Sequence, residues 1–156
     1  MNSWKETKFR QEHSDELMET RQKVLKAFSA LRNRGFLARA NFMCCSTCAG
    51  YDLAVTAVKI KKDGKDVKGC VFWHHQDDEG YWANGNLFLG YGPLETREYG
   101  TIGLTTEEVG KIVCEELKRA GVEPTWNGNT NERIVVTIPS IRNEEDEAER
   151  ERQFMG

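Results

Sequence analysis

Leu17, Val24, Phe28 and Leu31 recur at a spacing that puts them on one stripe of a helix, with Met18 and Leu25 beside it. Ser14 and Asp15 offer N-cap oxygens ahead of that stripe, and Gly35 stands where a helix ends, so the pattern predicts a helix over 14–34. The period then drops to two. In 36–42, Phe36, Ala38, Ala40 and Phe42 alternate with Leu37, Arg39 and Asn41, as in a half-buried strand. A second helix is expected over 47–62, with Tyr51, Ala54, Val55 and Val58 inward, closed by a turn at Gly64. "GCVFWHH" (69–75) is apolar on both faces up to the histidines and reads as a central strand. "NLFLGY" (86–91) reads as its hairpin partner across "QDDEGYWANG". Thr105 and Glu108 form a capping-box signature before the stripe Val109, Ile112, Val113 and Leu117, and Gly121 ends that helix. "VEPTW" and "RIVVTI" supply two last strands around "NGNTN".

The order is α-β-α-β-β-α-β-β. It predicts an α+β fold: a mainly antiparallel sheet of about five strands with about three helices on one face. Residues 1–13 form an N-terminal arm or a short extra helix, 14–141 a single domain, and 142–156 an acidic tail. That tail has six acids after position 143 and almost nothing to bury, so it is expected to be disordered or a solvated helix.

Composition changes little in this picture. A chain of 156 residues with 38% hydrophobic content has the means to bury a core. The net charge of −3 gives no reason to expect nucleic acid as a partner. No apolar run approaches the roughly 20 residues of a membrane span, and the polar N-terminal stretch does not resemble a signal peptide. A cytoplasmic protein is the expectation, and in that compartment thiols stay reduced unless they bind metal or do redox chemistry.

That bears on "FMCCSTCAGYDL", which holds three of the five cysteines. Cys45 and Cys48 form a CxxC at a predicted strand-to-helix junction, where a helix N-terminus stabilises a thiolate, and this suits a thiol-dependent oxidoreductase. The same sulfurs are half of a zinc signature. The best available partners are His74 and His75, of which strand alternation lets only one face the cluster. Cys44, Cys45, Cys48 and His74, with Cys70 conceivable, would complete the ligands. The third reading, and the preferred one, is small buried side chains where a helix packs on a sheet, with no cofactor; Cys70 and Cys114 belong to that class. Three other stretches carry candidate chemistry. His74, His75, Asp77 and Asp78 in "HHQDDEG" have the residue types for acid–base work or for a hard cation, although a strand leaving the core into a polar turn explains them as well. Arg97 and Tyr99 lie in a glycine-punctuated connection suited to recognition, and Trp4 and Trp82 stand in polar surroundings that suit contact with a partner.

"CCSTC" after a strand, "VFWHHQDDEG", "NLFLGYG", "KRAGVEPTWNG" and "RIVV" together resemble a family of small bacterial and phage proteins with a domain of unknown function. The resemblance covers about 36–138. Where that family has a Trp-Asp-Gly turn, this chain has Trp126, Asn127 and Gly128. The resemblance implies no activity. The sequence therefore predicts an interaction module for a protein or small molecule, contacted through Arg97, Tyr99, Trp82, His75 and Asp77. The alternatives are an oxidoreductase using Cys45 and Cys48, or a zinc-stabilised domain.

Overall fold

The predicted first stripe is the spine of helix α2 (Ser14–Asn33), on which Leu17, Val24, Phe28 and Leu31 are fully buried. Each such side chain contributes roughly 1.5–3 kcal/mol on leaving water. The computed structural model describes residues 4–155; the first three residues of the predicted arm and the last residue of the tail lie outside them. The rest of the arm is helix α1 (Trp4–Glu12), separated from α2 only by His13, which takes the N-cap position expected of Ser14.

Strand β1 (Phe36–Arg39) follows, then helix α3 (Ser46–Lys62), strand β2 (Gly69–Phe72), helix α4 (His75–Asn84) and strand β3 (Asn86–Gly92). A short hairpin of β4 (Leu94–Thr96) and β5 (Gly100–Ile102) leads to helix α5 (Thr106–Arg119). Strands β6 (Pro124–Thr125) and β7 (Ile134–Thr137) come next, and helix α6 (Pro139–Met155) ends the chain. The main sheet has the order β1-β2-β3-β7-β6. Its first pair is parallel and the other neighbours are antiparallel.

The fold is thus α+β with a five-stranded main sheet, but mixed rather than mainly antiparallel, and with six helices among the described residues rather than about three. The parallel pair follows from connectivity: a 17-residue helix joins β1 to β2, a crossover long enough to return the chain in the same direction. Strands β2 and β3 do pair antiparallel, Val71 opposite Tyr91, but the predicted hairpin turn between them is helix α4. A capping box at His74 and Asp77 starts that helix, and Gly85, at φ 80°, stops it.

Helices cover both faces of the sheet, not one. Phe36, Ala38, Val71, Trp73, Leu87, Leu89, Ile134 and Val136 pack with α2 and α5. Leu37, Cys70 and Phe72 pack on the other side with α3 and the small hairpin. The buried residues of α3 are Ala49, Leu53, Ala57 and Val58; of the predicted stripe Val58 is buried, whereas Tyr51 is 75% exposed. Small side chains at i and i+8 let the helix approach the sheet closely, and the larger Tyr51 and Val55 are left outside. The tail is a solvated helix, tied at its start where Ser140 hydrogen-bonds Glu16. No helix among the described residues is long and apolar enough to cross a membrane.

Candidate metal centre

β1 and β2 are parallel neighbours, so their carboxyl ends open at the same edge of the fold, and a helix begins just beyond each. Past β1 the chain keeps beside β2 through three backbone bonds. Trp73 N–H donates to Arg39 O (3.3 Å), Phe42 N–H to Trp73 O (2.8 Å) and His75 N–H to Met43 O (3.0 Å). It does so in bent form, because Asn41 (φ 48°) and Met43 (φ 66°) are both left-handed. Asparagine tolerates that region; for methionine it is uncommon and marks a backbone held by its surroundings. The bend breaks the strand's alternation. Phe36, Ala38 and Ala40 stay on the α2 side, whereas Phe42 packs on the α3 side.

The bend also sets the sulfurs. Cys44 ends the loop, Cys45 is the extended N-cap of α3, and Cys48 lies in the first turn. The Cys44 thiol is 3.5 Å from the Cys48 sulfur and 3.8 Å from that of Cys45, and all three sulfurs lie within 4.8 Å of one another. All five cysteines are free thiols, Cys44 exposed and Cys45 and Cys48 half-buried. The expectation of a buried cluster is therefore corrected: the left-handed turns push it out of the core. Cys70 does behave as expected. It is buried, and desolvation pushes its thiol up to about 12. Cys114, half-buried, is raised to about 11 by the same cause.

The cluster's two flanking thiols are driven apart electrostatically. Cys45 closes no cap hydrogen bond of ordinary geometry. The nearby Cys48 amide, then the Cys48 and Cys44 thiols, still hold it below the usual thiol value. Cys48 is pushed up to about 11, first by its hydrogen bonds with Cys44 and Cys45, then by their charge. Close sulfurs thus oppose one another's ionisation, and a cation placed between them relieves that repulsion. Zinc–sulfur bonds of about 2.3 Å in a tetrahedron set ligand sulfurs about 3.8 Å apart, which the observed spacings bracket. Bonded disulfide sulfurs stand about 2 Å apart, so these thiols are not poised at that distance.

The other predicted site residues fall elsewhere. Cys70 and His74 lie outside the sulfur group, which corrects the four-ligand set. The His74 side chain is 8% exposed and caps α4: its Nδ1 accepts the Asp77 N–H (3.4 Å), and its Nε2 lies 3.2 Å from the Asp77 carboxylate. Asp77 is equally buried, accepts the His74 N–H, and takes the Arg133 guanidinium in two bonds of 3.0 and 2.6 Å. It holds structure together rather than facing solvent. His75 is exposed, with Nδ1 2.6 Å from Asn41 Oδ1. Trp82 is half-buried; its N–H donates to Asp78 (3.2 Å), and the Arg10 guanidinium lies over its ring. Arg97 and Tyr99 are exposed at the β4–β5 turn, where Arg97 borders a groove of about 660 Å³ with Tyr51 and Val55 of α3.

Asn127 Oδ1 accepts the Asn129 N–H (2.9 Å), and the Trp126 indole donates to Asn129 O (3.1 Å). An aspartate would make the same turn bond, so the amide preserves the turn. Sequence reasoning missed Asn41, Met43 and Arg133. Nothing in residue type announces the first two turns, and Arg133 meets Asp77 only through the pairing of β3 with β7.

The model of one protein family, the domain of unknown function DUF6891, matches residues 2–142, and the chain belongs to that family. No curated protein and no solved structure matches the chain.

Proposed function

Since membership of this family brings no activity with it, we propose from the site itself that the domain binds a thiophilic metal ion, zinc foremost, through Cys44, Cys45 and Cys48. The observation that carries the reading is the approach of three unbonded sulfurs, Cys44 at 3.5 Å from Cys48 and 3.8 Å from Cys45 and all within 4.8 Å of one another, at a surface position where an ion has access. Sulfur donors in this number suit zinc or another soft ion over magnesium or calcium, which take oxygen. Binding would join the bent 40–45 loop to the first turn of α3, and so fix the edge of a surface that already exposes Tyr51 and Val55. The domain is then a metal-ordered interaction module for a protein or small molecule.

Thiol–disulfide exchange is the competing reading, favoured by the opposite shifts of Cys45 and Cys48: the lowered thiol would attack and the raised one resolve. One titration separates them. Reduced, chelator-stripped protein titrated with cobalt should show thiolate-to-cobalt charge transfer at one ion per chain, displaced by zinc. The Cys44, Cys45 and Cys48 triple serine variant should show none. Wild-type protein that takes up neither ion, or a triple variant that binds as tightly, would overturn the proposal.

A further inference from the structure

Three sulfurs leave a tetrahedral ion one ligand short, and we infer that His75 supplies the fourth, with Asn41 as the residue that orients it. This inference rests on the metal-binding reading above. Placement is the first argument. His75 is the first residue of α4, at the carboxyl end of β2, and the cysteines stand at the carboxyl end of its parallel neighbour β1. The bond from His75 N–H to Met43 O (3.0 Å) clamps the two backbones one residue before Cys44.

Ring chemistry is the second. Asn41 Oδ1 can only accept, so at 2.6 Å the His75 Nδ1 carries the proton. That tautomer leaves the Nε2 lone pair available. It is also the arrangement in which metal-bound histidines are held, one nitrogen on the ion and the other donating to an oxygen that fixes the ring. Asn41 presents that oxygen from a left-handed backbone, φ 48°, next but one to the left-handed Met43. A loop that keeps two such residues is over-determined by its surroundings, and here it carries both the His75 partner and Cys44.

The neighbouring histidine supports the choice by contrast. His74 has its ring engaged by the Asp77 amide and carboxylate and is buried, whereas the His75 ring is exposed. As it stands His75 Nε2 lies outside the group of atoms within 4.8 Å. Because the loop backbone is held by its surroundings, closing that gap falls to side chains: the exposed His75 ring with its Asn41 partner, and the cysteine sulfurs. Three thiolates and one imidazole make a Cys3His set, a common structural zinc arrangement.

Zinc K-edge X-ray absorption on the zinc-loaded full chain tests the ligand set directly. The expected result is three sulfurs and one imidazole nitrogen, with the multiple scattering of the ring. In His75→Gln the imidazole signature should vanish and zinc affinity should fall at least about 100-fold, beyond the 10–100-fold range typical of an orienting partner. Asn41→Gly keeps a left-handed backbone available. It should retain the imidazole signature and lose about 10-fold in affinity. Far-UV circular dichroism of the chelator-treated variants controls for folding and should match wild type. Zinc bound by sulfur and water oxygen alone, or His75→Gln binding as tightly as wild type, would overturn the inference and leave the cysteine site standing. A wild-type chain that takes up no zinc would remove both.

Discussion

Two helices start side by side at the carboxyl ends of the two parallel strands, and they start differently. At α4 the end groups are closed by protein: His74 and Asp77 satisfy each other's amides in a capping box, and Asp77 is also pinned by Arg133. At α3 the N-cap is Cys45, whose side chain closes no cap hydrogen bond, and the first turn is ringed by thiols. A helix N-terminus carries orphan N–H groups and partial positive charge. One start consumes that potential internally and is structural. The other leaves it beside three ionisable sulfurs that lie close enough together to hold a metal ion.

The largest expected effect tests the open start. If zinc binds the folded state alone, a thousand-fold excess over Kd should stabilise wild type by about 4 kcal/mol, read from urea midpoints. The triple serine variant should show no shift. An equal gain in both would erase the contrast between the two starts.

The closed start should give the next largest effect. Asp77→Ala removes the acid shared by the α4 cap and Arg133, and should cost about 3 kcal/mol in urea unfolding, at the lower end for a broken buried pair because Arg133 is 35% exposed. Zinc affinity should be retained once the folded fraction is allowed for. Loss of metal without loss of stability would show that Asp77 serves the sulfur site. A milder standard comes from α5, whose Thr105 and Glu108 form an ordinary capping box. Thr105→Ala should cost about 1 kcal/mol by the same measurement, the usual value of such a cap.

The α5 start could be read from sequence because Thr-x-x-Glu ahead of an apolar stripe has a known physical meaning, and the structure keeps it residue for residue. His-x-x-Asp at α4 uses the same two bonds, but follows an apolar run, so the whole stretch looked like a strand leaving the core. The crossover was legible in principle, since strand, long helix and strand demand a parallel pair, yet alternating strands suggested hairpins throughout. The cysteine cluster could be seen as a candidate, but not its exposure. That depends on φ at Asn41 and Met43, whose residue types do not fix the sign. His74 and His75 could not be told apart by strand alternation because the strand ends at Phe72, before either.

The smallest effect has the most telling sign. Cys45 occupies an N-cap with the extended φ of −155° and ψ of 171° that caps require, yet makes no cap bond. Serine has the shape of cysteine and is among the best N-cap residues, its oxygen accepting the N–H of N2 or N3. Buried cysteines would make serine the worse replacement, since an unpaired hydroxyl in an apolar site costs roughly 1–3 kcal/mol. At this half-buried helix start, outside the core, the order reverses. Cys45→Ser should be more stable than wild type by about 0.5 kcal/mol in chelator-treated protein, and Cys45→Ala should be no better than wild type. In zinc the ranking should invert, because the variant lacks a ligand and wild type gains the metal's stabilisation. Serine that destabilises the metal-free protein would show that the thiol is doing structural work the geometry does not reveal. A gain without metal and a deficit with it would show a helix start kept suboptimal so that sulfur can bind.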